Sequence, residues 1–202
     1  MTAADVGLAA EASPGAAPEP PRGALSRAAA RLASLVGARA APPPGAPAVR
    51  YLAVHEGAAY TVGIFCLDAG AQLPLHDHPG MTVLSRLLYG QLVVRSFDWD
   101  DQGGPGGARL ADEALLSGPA PCRLLRPAQG NLHALQARTA AAVLDVLGPP
   151  YDPRAGRGCS YFTEAEPRAA APGDAARLER VPPSPHFYVA RSTYRGAAMR
   201  VP

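Results

Sequence analysis

From Val49 onward the apolar residues come in short blocks separated by Gly, Pro and Asp, and within several blocks apolar and polar positions alternate. Alternation is the period of an extended chain, whose side chains point to opposite faces in turn. It predicts strands over Tyr51–Val54, Tyr60–Leu67, Met81–Tyr89, Gln91–Asp98, Cys122–Leu125, His133–Ala137 and Ala141–Leu147. Asp68-Ala69-Gly70 and Gly90 supply turn residues between them, and the Gly-rich, acidic stretch Asp100–Pro119 reads as a long loop. Short strands punctuated this often predict an all-β sandwich or barrel. No GxGxxG fingerprint follows a strand and opens a helix, which argues against a nucleotide fold, and no repeat of solenoid period is present.

Before Val49 the texture differs. Residues 1–47 are Ala, Pro and Gly with few large apolar side chains, a composition that buries too little surface to offset chain entropy. The expected organisation is a largely disordered extension over 1–47 followed by one folded domain over 48–202. Within the extension, Leu25, Leu32, Leu35 and Val36 with Arg27 and Arg31 could form a short amphipathic helix over Leu25–Arg39 that packs on the domain. The alternative is part of an organelle-targeting segment, although Asp5, Glu11 and Glu19 precede it.

Composition narrows the function classes. At 202 residues the chain suits one ordinary domain plus a tail, and a net charge of +2 lacks the basic excess that nucleic-acid binding needs. All 19 basic residues are arginine, so Schiff-base chemistry and a P-loop lysine are excluded for want of the amine. Cys66, Cys122 and Cys159 form no C-x-x-C pair, which argues against a disulfide framework or a thiolate zinc site and for a reducing compartment. With no bilayer-length apolar run and no secretory pattern, the expectation is a monomer in cytoplasm or nucleus with neither membrane nor nucleic-acid partner.

The chemistry concentrates in Gly70-Ala-Gln-Leu-Pro-Leu-His76-Asp77-His78-Pro79-Gly80-Met81. On an extended chain His76 and His78 project to one face and Asp77 to the other, which makes half a metal site. Gly130-Asn131-Leu132-His133, after the turn Arg126-Pro127-Ala128-Gln129, offers a third nitrogen at the start of a later strand. Antiparallel barrel strands can bring such distant positions together. His55, beside Glu56, and His186, in a Pro-rich stretch, read as residues outside the site. Three imidazoles on one face of an octahedral ion leave three positions open and add no negative charge, so the site suits a substrate that brings its own anion, such as a thiolate on iron(II). Three-His sites also suit catalytic zinc, and ligand type alone does not choose.

Gly70, His76, His78 and Gly90 resemble the first cupin motif, and Pro127, Gly130 and His133 a loosened second one. The usual glutamate ligand of the first motif would fall at Val83, or Thr82 by the shorter spacing, so the carboxylate is missing; the second has one extra residue between Pro and Gly and ends at Ala137 instead of Asn. Beyond these, Leu-Pro-Leu-His76-Asp-His78-Pro-Gly-Met-Thr, Gly-Asn-Leu-His133 and Leu144-Asp145-Val-Leu-Gly-Pro-Pro-Tyr151-Asp152-Pro resemble the cysteamine and N-terminal-cysteine dioxygenase family. Thr82-Val83-Leu84-Ser85 and Ser96-Phe97-Asp98-Trp99 are closer to the plant cysteine oxidase branch. The resemblance covers roughly Tyr51 to Glu164. It implies a cupin double-stranded β-helix, a jelly-roll-like barrel, with Fe(II) as cofactor, O2 as co-substrate and a protein or peptide beginning with cysteine as partner. The implied product is cysteine sulfinic acid, made in an oxygen-sensing N-degron pathway. Cysteamine or free cysteine as substrate, and a three-His zinc or other divalent-metal cupin, stay open as alternatives.

Val143, Asp145 and Leu147 share one face of their strand, so if that face lines the barrel, Asp145 is a buried acid in need of a partner. The resemblance places an active-site aspartate there. Tyr151, just after Pro149-Pro150, either donates its hydroxyl to the substrate or packs. Cys159-Ser160-Tyr161 matches a C-x-Y that cross-links in the animal branch of the family; the favoured reading here is an unmodified cysteine. Cys66 and Cys122 read as small core residues.

Overall fold

The computed structural model describes residues 48–165 and 171–199. The strands are β1 Val49–Glu56, β2 Thr61–Leu67, β3 Gln72–His76, β4 Thr82–Tyr89, β5 Gln91–Trp99, β6 Gly107–Ser117, β7 Arg123–Leu125, β8 Leu132–Ala137, β9 Ala141–Gly148, β10 Tyr161–Glu164, β11 Ala175–Val181 and β12 Val189–Ser192. Two 3-10 turns, Asp101–Gly103 and Pro153–Ala155, are the helical segments among the described residues. One sheet runs β12-β1-β2-β9-β4-β7; the other runs β10-β11-β6-β5-β8-β3 and closes where β10 meets β3 at Tyr161 and His76. Neighbours are antiparallel except β1 and β12. This is the cupin double-stranded β-helix.

Alternation places the core between the sheets. Val49, Leu67 and Val143 from the first sheet meet Leu92, Val94 and Leu135 from the second. Phe97, Leu110 and Leu132 form a second cluster at 1% exposure or less; each such side chain contributes on the order of 1.5–3 kcal/mol by leaving water. Between β4 and β5, Gly90 has φ +88, and a Cβ there would lie 2.2 Å from the Ala140 carbonyl oxygen. The cupin glycine is thus required twice, for its backbone angle and for the close approach of the β8–β9 turn.

All seven strands expected from alternation form, with ends shifted by up to two residues. The loop expected over Asp100–Pro119 is instead dominated by the 11-residue β6, paired along its length with β5. A register shift at Ser96/Phe97 leaves Ala111 as an extra residue, and this bulge puts the strand's two halves out of phase. Strands β3, β10, β11 and β12 were also absent from the pattern. Cys122 is exposed beside the edge strand β7 and Cys66 is half-buried on β2, so neither is the core residue expected. The extension and the helix expected over Leu25–Arg39 lie outside the described residues.

Candidate metal centre

His76 ends β3 and stands directly opposite His133 on β8, so cross-strand pairing brings together residues 57 positions apart. His78 follows in a turn closed by Met81 N donating to His78 O at 3.0 Å, with Pro79 and Gly80 (φ +65) at its centre. Pro sets φ at the first central position and Gly accepts the positive φ at the second, as a type II turn demands. The three ring centroids lie 4.7–5.0 Å apart. One nitrogen from each ring falls within 4.8 Å of the others.

Hydrogen bonds decide which nitrogens are free. His76 Nδ1 lies 2.8 Å from the Pro74 carbonyl oxygen, which can only accept, so Nδ1 carries the proton and Nε2 keeps its lone pair. Tyr151 Oη lies 2.8 Å from the Asp77 carbonyl oxygen and 2.7 Å from His78 Nδ1. Its one proton goes to the carbonyl, and His78 Nδ1–H donates to the phenol oxygen. His78 Nε2 is then also unprotonated, and it sits 3.1 Å from His133 Nε2. With a proton on His133 Nε2 this contact is a hydrogen bond, and with His133 in its other tautomer both nitrogens turn lone pairs to one point, so the donor set fits a metal ion. Orientation of a ligand histidine through its other nitrogen is the usual supporting arrangement for such ions. Burial lowers the pKa of His76, and that of His78 and His133 far more, with the neighbouring imidazoles acting in the same direction on the latter two. All three rings are therefore neutral near pH 7, as ligation requires.

No carboxylate joins the three imidazoles among the described residues. Val83, where a cupin glutamate would fall, is buried in an apolar cluster with Met81, Leu125 and Leu147. Asp145 is 3% exposed on the inner face of β9 and lines a cavity of about 80 Å³ that all three histidines also line. A larger cavity of about 570 Å³, lined in part by residues of β6 and β7, touches only His133 of the three. The smaller cavity is therefore the chamber the free nitrogens share. Ser85, opposite Asp145 across β4 and β9, hydrogen-bonds its carboxyl group, yet Oδ1 is buried without a partner. Burial lifts the Asp145 pKa to about 6, against the smaller opposing effect of Ser85.

Tyr151 lines the chamber, but its hydroxyl is engaged by His78 and Asp77. The hydroxyl's hold on His78 is a third arrangement, beside the donation to substrate and the simple packing read from the sequence. Tyr151→Phe is expected to weaken metal binding by roughly 10–100-fold, as loss of an outer-shell partner does, measured by competition with a chromophoric chelator. Asn131 supports the same ligand and was missed in the sequence: its Oδ1 accepts from His78 N at 3.0 Å and its Nδ2 donates to His78 O at 2.7 Å. A buried Asn two residues before His133 was the available signal, but its partner lies 53 positions away. The Cys159 thiol interacts with the hydroxyls of both Tyr151 and Tyr161, and burial pushes its pKa to about 12, so it stays protonated. His55 packs on Tyr60 and His186 is exposed; neither joins the centre.

Fold and site together define a cupin with a three-histidine metal centre. The chain belongs to the PCO_ADO family, whose profile matches residues 1–199. It is 43% identical over 135 residues to plant cysteine oxidase 1 of Arabidopsis thaliana, covering 64% of this chain and 44% of that protein. To the 2-aminoethanethiol dioxygenase of Homo sapiens it is 35% identical over 153 residues, covering 62% and 56% respectively. The chain thus spans about half the length of these curated relatives. Among solved structures, a cupin superfamily protein from Desulfitobacterium hafniense aligns with a TM-score of 0.39 at 18% identity, over 59% of this chain and 89% of that one.

Proposed function

We propose that this protein is an iron(II)-dependent thiol dioxygenase whose substrate carries an amine beside the thiol, foremost the N-terminal cysteine of a protein or peptide. The observation that carries the reading is the chamber itself: three neutral imidazoles without a ligating carboxylate, sharing it with a buried carboxylate whose Oδ1 lacks a partner. Ferrous iron held by His76, His78 and His133 would supply open positions where a thiolate and dioxygen react. Both oxygen atoms end on sulfur, and the four electrons that reduce O2 come from that sulfur, so R–SH + O2 gives R–SO2H with no further reductant.

The chain's own residues set the substrate. Asp145 contributes the chamber's carboxylate and no Arg or Lys among the described residues lines it, so an ammonium is welcomed while the α-carboxylate of free cysteine meets no cationic partner among them. Leu73, Phe65, Leu147 and Val189 make much of the remaining wall apolar and limit water around the reacting sulfur. Two relatives are named for a cysteine oxidase and for 2-aminoethanethiol, and an amine two carbons from a thiol is common to both compounds. A peptide substrate would give the enzyme its place in an oxygen-sensing N-degron pathway, since low oxygen leaves the target unoxidised.

The test is mass spectrometry of iron-loaded protein, in air and under nitrogen, with four substrates. Cys-initiated peptide and 2-aminoethanethiol should gain two oxygen atoms in air only. The N-acetylated peptide should stay unmodified, and free cysteine should react at least roughly 10-fold more slowly, the effect of about 1.4 kcal/mol. Stoichiometric zinc after anaerobic purification, with no thiol-dependent oxygen uptake, would replace this reading with a zinc cupin.

A further inference from the structure

The carboxylate of Asp145 is half satisfied: Ser85 holds it, and Oδ1 has no partner. A second polar group on the chamber wall has no protein partner among the described residues, although its oxygen is not fully sealed from solvent. Tyr51, on β1, is 2% exposed and lines the same cavity, and its hydroxyl makes no hydrogen bond to a described residue. A tyrosine hydroxyl in a largely buried ring ordinarily finds a partner, protein or otherwise.

What brings Tyr51 to the chamber is a missing side chain on the strand between. Tyr51 stands opposite Phe65 in the β1–β2 register, one inward-facing position along from Gly63, and Gly63 stands opposite Asp145 in the β2–β9 register. A Cβ on Gly63 would lie 2.2 Å from Tyr51 Cε2 and 2.6 Å from Tyr51 Oη. The ring therefore lies over Gly63 with its hydroxyl in the space a side chain would have taken, on the row that leads to Asp145. Burial raises the Tyr51 pKa to about 12, with Glu56 and Asp145 adding to it and Arg191 opposing, so the hydroxyl is neutral and Asp145 is near enough to be felt. Ser85, not Tyr51, is the group that bonds Asp145. The carboxylate oxygen and the phenol oxygen thus stand as two unused acceptors in the cavity that the three imidazoles also line.

We infer that Tyr51 positions the substrate: its hydroxyl oxygen and Asp145 Oδ1 each accept one hydrogen from the substrate's ammonium, which holds the adjacent thiol toward the three histidines. The inference rests on the amine-thiol reading above and adds a residue to it. An ammonium gripped from β1 and β9 at once cannot swing about a single carboxylate, so the sulfur is presented in one direction. Hydrogen bonds to a charged group are worth about 1.5–3 kcal/mol, which sets the expected loss at roughly 10–100-fold.

Tyr51→Phe keeps the ring over Gly63 and removes only the acceptor. Anaerobic protein loaded with cobalt(II) is titrated with 2-aminoethanethiol and with ethanethiol, which lacks the amine, and the thiolate-to-cobalt absorption band is followed. Tyr51→Phe should weaken 2-aminoethanethiol at least roughly 10-fold and leave ethanethiol unchanged, with cobalt content and melting temperature retained. In the iron enzyme the same change should appear in KM more than in kcat. Equal weakening of both thiols would mean that the hydroxyl serves packing, and no weakening of either would mean that it is idle; each overturns the inference while the thiol site stands. A wild-type protein that binds neither thiol overturns the dioxygenase reading, and the inference with it.

Discussion

Replacing His133 with alanine should strip the protein of metal and of thiol oxidation together. His133 is 3% exposed, its Nε2 is 3.1 Å from that of His78, and it reaches the site from β8, whereas His76 and His78 come from one segment. Without it the remaining pair holds the ion from one side only. The loss of affinity should exceed the roughly 10–100-fold expected for an outer-shell partner such as Tyr151. Calorimetry separates this from misfolding. At a metal concentration of 100 times the dissociation constant, binding stabilises the native protein by about 2.7 kcal/mol, so wild type should melt higher with metal than without. His133→Ala should melt at one temperature in both conditions and stay folded. A variant that keeps its metal-dependent shift, or keeps turnover, would remove His133 from the ligand set.

How much of this was legible in the sequence depends on the residue. His76 and His78 share a face by the alternation of an extended chain, and their rings do lie together. The pairing of His76 with His133 was not legible, because the β3–β8 register shifts between Leu73 and His76 and Pro74 weakens the strand signal of its own segment. Asp145 followed from the alternation of β9 once one face was assumed to line the barrel, and that face is the inner one. Tyr51 did not follow: its reach depends on an empty position at Gly63, on another strand. The strand Ala175–Val181 has Ala, Arg, Leu and Glu, a helix-forming composition. It is a strand because pairing with β6 and β10, and burial of Leu178 at 3% exposure, outweigh local preference.

Asp145→Asn should leave the metal in place, cut kcat/KM for amine-bearing thiols by roughly 100-fold or more, and make the metal-free protein more stable. The first two effects follow from position: the carboxylate is not among the three ligands, and removing one member of a buried ion pair costs about 3–5 kcal/mol. The third follows from burial, which lifts the Asp145 pKa to about 6 from about 3.9 in an unfolded chain. Between those values the folded protein holds a proton that the unfolded chain has released, so stability falls as pH rises through the window and stays lower above it. The penalty at neutral pH is on the order of 2–3 kcal/mol, and asparagine, which cannot ionise, removes it. Thermal melts of metal-free protein should therefore show the variant above wild type by several degrees at pH 7.5 and level with it at pH 4. Activity moves the opposite way with pH: wild-type kcat/KM should drop as Asp145 protonates, at a lower pH than in the metal-free protein because the charge of a bound cation favours the carboxylate, and the variant should lose that limb. A chain that keeps a costly charge in its core gains something from it, and under the proposed function the gain is capture of the substrate's ammonium. If the variant is instead less stable at every pH, the carboxylate is a structural group held by Ser85, and the amine must be recognised elsewhere.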